Sequence, residues 1–177
     1  MFLKLLFKRK NVKVVSIHAK NKPEIATYLV SSLFLHENYD LMKNDPIETF
    51  YYVTGPEIDG IKILDKIEKF GYEERSGIFA KAVTKESTLI LIKLDSYDHR
   101  LWGYFHNHTE PGVSGTDPSW VDLKFRNTLD RGGHKAMGVI FSKDGFIRFF
   151  SSKPFKIIIY GKGVEKVNEE LYHLVKV

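Results

Sequence analysis

No cysteine occurs in the 177 residues of this chain. That absence excludes disulfides, thiolate-bound zinc and a thiol nucleophile, so any chemistry must fall to histidines, carboxylates or hydroxyls. No apolar run is long enough to cross a bilayer. The opening Met1–Lys10 segment is greasy, but Lys4 interrupts it and its basic cluster follows the apolar part, the reverse of a secretory signal. No glycine cluster has phosphate-cradling spacing; Gly60, Gly71, Gly132-Gly133 and Gly161-x-Gly163 read as turns. Repeats and low-complexity linkers are missing too. What remains is an ordinary globular composition, 43% hydrophobic and 28% charged, of a length that suits one domain over residues 1–177. The net charge of +5 is spread along the chain, with no basic run beyond Lys8–Lys10. It reads as a solvated surface, not a nucleic-acid interface. The expectation is a cytoplasmic protein with no nucleic-acid or membrane partner.

Hydrophobic periodicity predicts a strand at Val12–Ile17 and a helix from Pro23 to about His36, carried by Ile25, Tyr28, Leu29, Ser32, Leu33 and Leu35. Thr49–Thr54 reads as a strand ending at Gly55, Ile61–Phe70 fits neither period, and Ser76–Val83 reads as a strand. Thr84 is placed as the cap of a helix running to about Leu94. Leu101–His108 follows as a strand and Pro118–Leu129 as a helix. Met137–Phe141 and Phe146–Phe150 form a hairpin around Lys143-Asp144-Gly145. A strand at Ile157–Tyr160 and an amphipathic helix over Val164–Val177 close the chain. The class is α/β or α+β, with a mixed, mostly antiparallel sheet flanked by helices.

The informative stretch runs from Leu101 through His106-Asn-His108 to Ser119-Trp-Val-Asp122. Residues two apart on a strand share a face, which sets His106 and His108 side by side with Trp102 and Tyr104. The following helix is expected to begin with Asp117 as cap and Pro118 in its first turn. Ser119 and Asp122, three apart, then share a face of that turn. Two imidazoles, one carboxylate and a fourth position left for water describe a catalytic zinc site. The competing reading is two surface histidines plus a Ser/Asp capping pair, which is common at helix starts. Trp102, Tyr104 and Trp120 read as packing residues, with shaping of the site as the alternative. His18, His36, His99, His134 and His173 lack ligand-like spacing.

The run Trp102-Gly-Tyr-Phe-His-Asn-His108 with Pro118-Ser119-Trp-Val-Asp122 resembles the motif of the JAMM (MPN+/JAB) zinc metallopeptidases: His-x-His, a loop, then Ser-x-x-Asp, with a separate upstream Glu. Gly138–Ser142 and Gly145–Phe150 look like the prokaryotic branch of that family. The chain departs from the pattern in its loop, where Ser119 lies eleven residues after His108 instead of the usual eight, and Thr109 stands where Pro is usual. The resemblance implies an MPN/JAB fold with a cytidine-deaminase-like layout and zinc held by His106, His108 and Asp122. It implies a general base from the upstream strand. Glu48 is the first candidate, since it follows the first helix and opens a strand ending in Gly; Glu74, in a local Glu-x-x-Gly, is the second. Ser119 would donate a hydrogen bond to the oxyanion and is not a nucleophile.

The implied activity is hydrolysis of a peptide or isopeptide bond at the flexible C-terminal tail of a ubiquitin-like or sulfur-carrier-like protein. Such prokaryotic enzymes act in deconjugation or in precursor trimming, in some cases beside operon-encoded activating and conjugating enzymes of anti-phage systems. A catalytically silent MPN-type scaffold is the alternative, against which the full His/His/Ser/Asp set argues.

Overall fold

The computed structural model describes residues 25–76, 79–94 and 99–176. The expected Val12–Ile17 strand, Pro23, His18 and the Met1–Lys10 segment lie outside them. In chain order the elements are β1 (Ala26–Ser31), α1 (Ser32–Met42), β2 (Phe50–Gly55), β3 (Glu57–Ile58), β4 (Ile61–Leu64), β5 (Lys66–Glu68), β6 (Tyr72–Ser76) and β7 (Phe79–Ala82). Then come α2 (Thr84–Leu94), β8 (Arg100–Asn107), a 3-10 turn at Ser114–Thr116, α3 (Trp120–Arg131), β9 (Met137–Phe141), β10 (Phe146–Phe150), β11 (Phe155–Tyr160), β12 (Val164–Lys166) and β13 (Leu171–Leu174).

The centre is a seven-stranded sheet of order β12-β13-β10-β9-β8-β2-β5, and a four-stranded sheet has the order β11-β1-β4-β3. In the large sheet only β8 and β9 run parallel. One face of that sheet is sealed by α1 and the small sheet: Val53, Phe105, Val139, Phe141, Ile147 and Phe149 pack with Leu35, Met42, Tyr28 and Leu64. The other face carries Tyr52, Leu101, Tyr104, Ile140 and Phe150 against Leu129 and Phe125 of α3 and Leu94, Leu91 and Ile90 of α2. The mixed, largely antiparallel sheet flanked by helices is as expected.

Four local expectations are corrected. The first helix begins at Ser32, not at Pro23. Ala26–Ser31 instead pairs in parallel with both β11 and β4, burying Tyr28 and Val30 at strand spacing. Ser31 then caps α1, its Oγ accepting the Phe34 N–H at 3.0 Å. Ser76–Val83 is not one strand: β6 and β7 pair as an antiparallel hairpin, with residues 77–78 outside the described residues. The closing helix over Val164–Val177 is the hairpin β12–β13. Asn168 makes the turn, its Oδ1 accepting the N–H groups of Glu170 and Leu171 at 2.9 Å each, and Leu171 and Leu174 are buried. Finally, α3 is capped by Ser119, not by Asp117, and starts at Trp120. Ile61–Phe70 fits neither period because the chain changes sheets within it, β4 joining the small sheet and β5 the large one.

Candidate metal centre

β8 carries His106 near its C-terminal end, and His108 follows directly after its last residue, Asn107. Across the sheet Phe50 stands opposite His106 and Tyr52 opposite Tyr104. Tyr104 stacks on His106 with ring centroids 5.7 Å apart. Trp102 does not share this face. The β2–β8 register shifts at Val53/Thr54, a bulge that turns the Trp102 ring into the opposite core beside Phe105. Trp120, placed in the sequence as packing, is 72% exposed.

Asp122 arrives from the first turn of α3. Ser119 and Asp122 form a capping box: Ser119 Oγ accepts the Asp122 N–H at 3.3 Å, and Asp122 Oδ2 accepts the Ser119 N–H at 2.7 Å. The capping pair and the ligand set, rivals in the sequence, coexist. The box fixes Asp122 while Oδ1 reaches His106 Nε2 at 3.1 Å. The positive end of the helix dipole supports the carboxylate.

Three contacts test the fit to a metal ion. His106 Nε2 lies 3.1 Å from His108 Nε2, and His108 Nε2 lies 3.5 Å from Asp122 Oδ2. Ligand atoms about 2.0–2.1 Å from a tetrahedral ion stand about 3.3 Å apart, the edge length of such a polyhedron. The three side chains offer atoms all within 4.8 Å of one another and can hold a metal ion. The tautomer agrees. His108 Nδ1 sits 2.9 Å from the Gly115 carbonyl, which can only accept, so Nδ1 donates and leaves Nε2 a lone pair for the ion.

The long loop after His108 supplies that carbonyl, and the loop is anchored. Gly112 N–H donates to Asp144 Oδ1 at 2.7 Å, while Arg148 of β10 binds the Thr116 carbonyl at 3.1 Å and Asp117 at 2.8 Å. At Gly115 a Cβ would stand 2.4 Å from the Glu110 carbonyl oxygen, so only glycine fits this turn. Arg148, Asp144 and Gly115 escaped the sequence reading; the one hint was the three-residue lengthening of the loop.

Glu48 stands just before β2, with Oε1 4.0 Å from His108 Nε2, too far for a direct hydrogen bond and close enough to face the same centre. Its backbone is held from two sides. Asn107, alternating away from the histidines, accepts the Thr49 N–H at 2.8 Å through Oδ1, and Arg75 Nε donates to the Glu48 carbonyl at 3.1 Å. Arg75 also grips Asp45 and Thr49. Glu74, the alternative candidate, is exposed on β6 opposite Lys81 and lies outside ion-pair distance of both histidines.

Burial lifts the Glu48 carboxyl to about 7; His108 opposes this and Asp122 adds to it. Burial also works to raise Asp122, but His106, His108 and Ser119 together bring it well below the usual carboxylate range. Burial pushes His106 down, toward the neutral imidazole that a metal needs. For His108 burial is outweighed by Asp122 and Glu48, which raise it. The arrangement is two imidazoles and an anionic carboxylate around one point, with a protonatable carboxyl beside it.

No protein-family model matches the sequence, and no curated protein matches it. Among solved structures the fold does find likenesses, and it is MPN/JAB-like. AF2198, a JAB1/MPN domain protein from Archaeoglobus fulgidus, superposes with a TM-score of 0.50 at 14% identity, over 76% of this chain and 99% of the other. Protein DSY2949 from Desulfitobacterium hafniense gives a TM-score of 0.51 at 13% identity, over 76% of this chain and 94% of its own. Among the described residues no helix is long and apolar enough to cross a membrane.

Proposed function

We propose that this chain is a zinc-dependent peptidase that hydrolyses the peptide or isopeptide bond after the C-terminal tail of a ubiquitin-like protein. The observation that carries the reading is the convergence of His106, His108 and Asp122 within 4.8 Å, with Glu48 standing 4.0 Å from His108. Zinc suits the donor set, two nitrogens and one oxygen with room for a fourth ligand, and it supplies activation of a water and polarisation of a carbonyl.

This chain's own residues do the rest. His106 and His108 present Nε2, and the Gly115 carbonyl fixes the tautomer of His108. Glu48 takes a proton from the attacking water and hands it to the departing amine. A carboxyl lifted to about 7 suits that exchange near neutral pH. Ser119 Oγ already accepts the Asp122 N–H, so its own O–H remains to donate toward an oxyanion. Asn107 and Arg75 hold the Glu48 backbone against the end of β8. The balance is one water consumed, with one carboxylate and one amine released.

Deconjugation of a ubiquitin-like protein from a lysine is the favoured substrate reading, and trimming of a precursor or sulfur-carrier tail uses the same site. The test combines elemental analysis with cleavage of ubiquitin-like fusions before and after chelation. About one zinc per chain and activity restored by added zinc are expected. Full activity in the verified metal-free protein overturns the reading, and absence of metal binding leaves a scaffold.

A further inference from the structure

A cavity of about 420 Å³ opens beside the metal centre, and Glu48, His106 and Asp122 form its inner end. Strand alternation builds its floor: Phe50 and Tyr52 on β2 and Tyr104 on β8 line up toward His106 on one face of the sheet. Phe125 of α3 closes one side, its ring 4.9 Å from that of Tyr104 and 5.4 Å from that of Phe50. Ala80 and Ala82 of β7 form the opposite wall with small side chains. Lys81, Thr84 and Thr128 stand exposed at the rim.

The polar atoms of these walls are already engaged. Tyr104 Oη donates to the Asp122 carbonyl at 3.1 Å, Ser87 Oγ donates to the Thr84 carbonyl at 3.1 Å, and Lys81 pairs with Glu73 at 2.6 Å. The space therefore offers aromatic faces and methyl groups, and little to a polar side chain. Its size falls in the range of ligand pockets, about 300–1,000 Å³.

Resting on the peptidase reading, we infer that this cavity is a specificity pocket for a bulky apolar side chain, aromatic or large aliphatic, next to the scissile bond. The cavity ends on the residues that would act on that bond, so a side chain seated in it places a neighbouring amide at the metal centre. Two glycines beside the bond would leave the aromatic floor uncovered. An apolar ring would desolvate it and add edge-to-face contact with the aromatic side chains of the floor. Ala82 lines the cavity with a single methyl group, and a larger residue there would fill part of the space.

Two measurements separate this proposal from the reading beneath it. The first uses the metal-free protein and no turnover: N-acetylphenylalanine amide and N-acetylglycine amide are titrated while backbone NMR shifts are followed. The phenylalanine derivative should bind at least about 10-fold more tightly, the low end of what a hydrophobic pocket discriminates. Its shifts should map to Ala80, Ala82 and Thr128. Ala82→Phe and, as a rim variant on an exposed residue, Thr128→Trp should each weaken that binding, with thermal melts confirming the fold. The second uses zinc-loaded protein and peptides varied at the two positions flanking the cleaved bond. A preference of about 100-fold in kcat/KM for Phe, Tyr or Leu over Gly at one position is expected, and Ala82→Phe should collapse it. Binding without hydrolysis overturns the peptidase reading and leaves the pocket. Hydrolysis with glycine preferred, or equal binding of the two amides, overturns the pocket and leaves the peptidase.

Discussion

The two faces of the seven-stranded sheet are made from the same strands and do opposite work. On the face toward α1, Val53, Phe105, Val139, Phe141, Ile147 and Phe149 are 0–1% exposed and packed without a break. On the face toward α2 and α3, Tyr52, Tyr104 and Phe150 are also buried, yet the packing stops short and leaves a cavity ending at His106. β8 serves both within four residues: Phe105 and Asn107 turn to one side, Tyr104 and His106 to the other. The sealed face fixes the register, and a slip of one residue would send the histidines into the core. The candidate metal centre sits where the same strand is left unsealed.

Breaking that division should give the largest effects. Asp122→Ala or His106→Ala is expected to abolish metal binding and turnover together, since each removes one of the three side chains that can hold the ion. Retention of stoichiometric metal in both variants, by elemental analysis, would remove the site. Phe105→Ala on the sealed face should do the reverse. It should cost about 3–5 kcal/mol in chemical denaturation while the folded fraction keeps its metal. In metal-free protein, His106→Ala should destabilise less than Phe105→Ala, because it removes less apolar volume and takes away a buried Nδ1 that has no partner of good geometry, against the loss of the 3.1 Å contact to Asp122. Equal costs would show that the two faces are not divided as described.

Effects of middle size test the carboxylates. Glu48→Gln should keep metal and fold while lowering kcat by about 10²–10⁴-fold, the scale of a general acid–base group. A silent Glu48→Gln with an inactive Glu74→Gln would move the base to β6. Ser119→Ala should cost about 10²-fold in kcat, the scale of one oxyanion donor, and about 1 kcal/mol of stability from the lost cap. Loss of the second without the first would reduce Ser119 to its capping role.

How much of this was legible follows the same division. The strand that carries His106 and leads into His108, the helix carrying Asp122 and the hairpin around Gly145 follow from local pattern. Each is a short periodic segment with its own turn chemistry. Val164–Val177 misleads because its apolar residues satisfy a helical period, while Asn168 and pairing with β10 decide for a hairpin. Ala26–Ser31 misleads for a related reason, since parallel pairing with β4 and β11 is a non-local choice that overrides a local period. At the site, the convergence of His106, His108 and Asp122 could be read from spacing. The supports could not: Asn107 holding the Glu48 segment, Gly115 fixing His108 and Arg75 gripping Asp45 join residues far apart in the chain. The bulge that removes Trp102 from the site face has no sequence mark of its own.

The last predicted effect is a pH dependence of stability in the metal-free protein, and Glu48 on the unsealed face carries the part that a single variant can isolate. Glu48 titrates near 4.5 when unfolded and at about 7 when folded, because burial disfavours its charge. Below pH 4.5 both states hold the proton and the group adds no slope. Between the two values the unfolded state loses its proton first, so native stability falls as pH rises, until the folded carboxyl also ionises at about 7. Glu48→Gln removes this linkage. The stability difference between variant and wild type should therefore grow in the variant's favour from pH 5 to pH 7 and level off above it. Asp122 runs the opposite way, since its lowered carboxyl stabilises the fold above the ordinary carboxylate range and loses that contribution only in strong acid. Chemical denaturation of both proteins across pH 4–8, with chelator present throughout, separates the two. A flat difference would mean that Glu48 is as well solvated as a surface acid, which would remove the support that burial lends to its choice as the base and leave only its position 4.0 Å from His108.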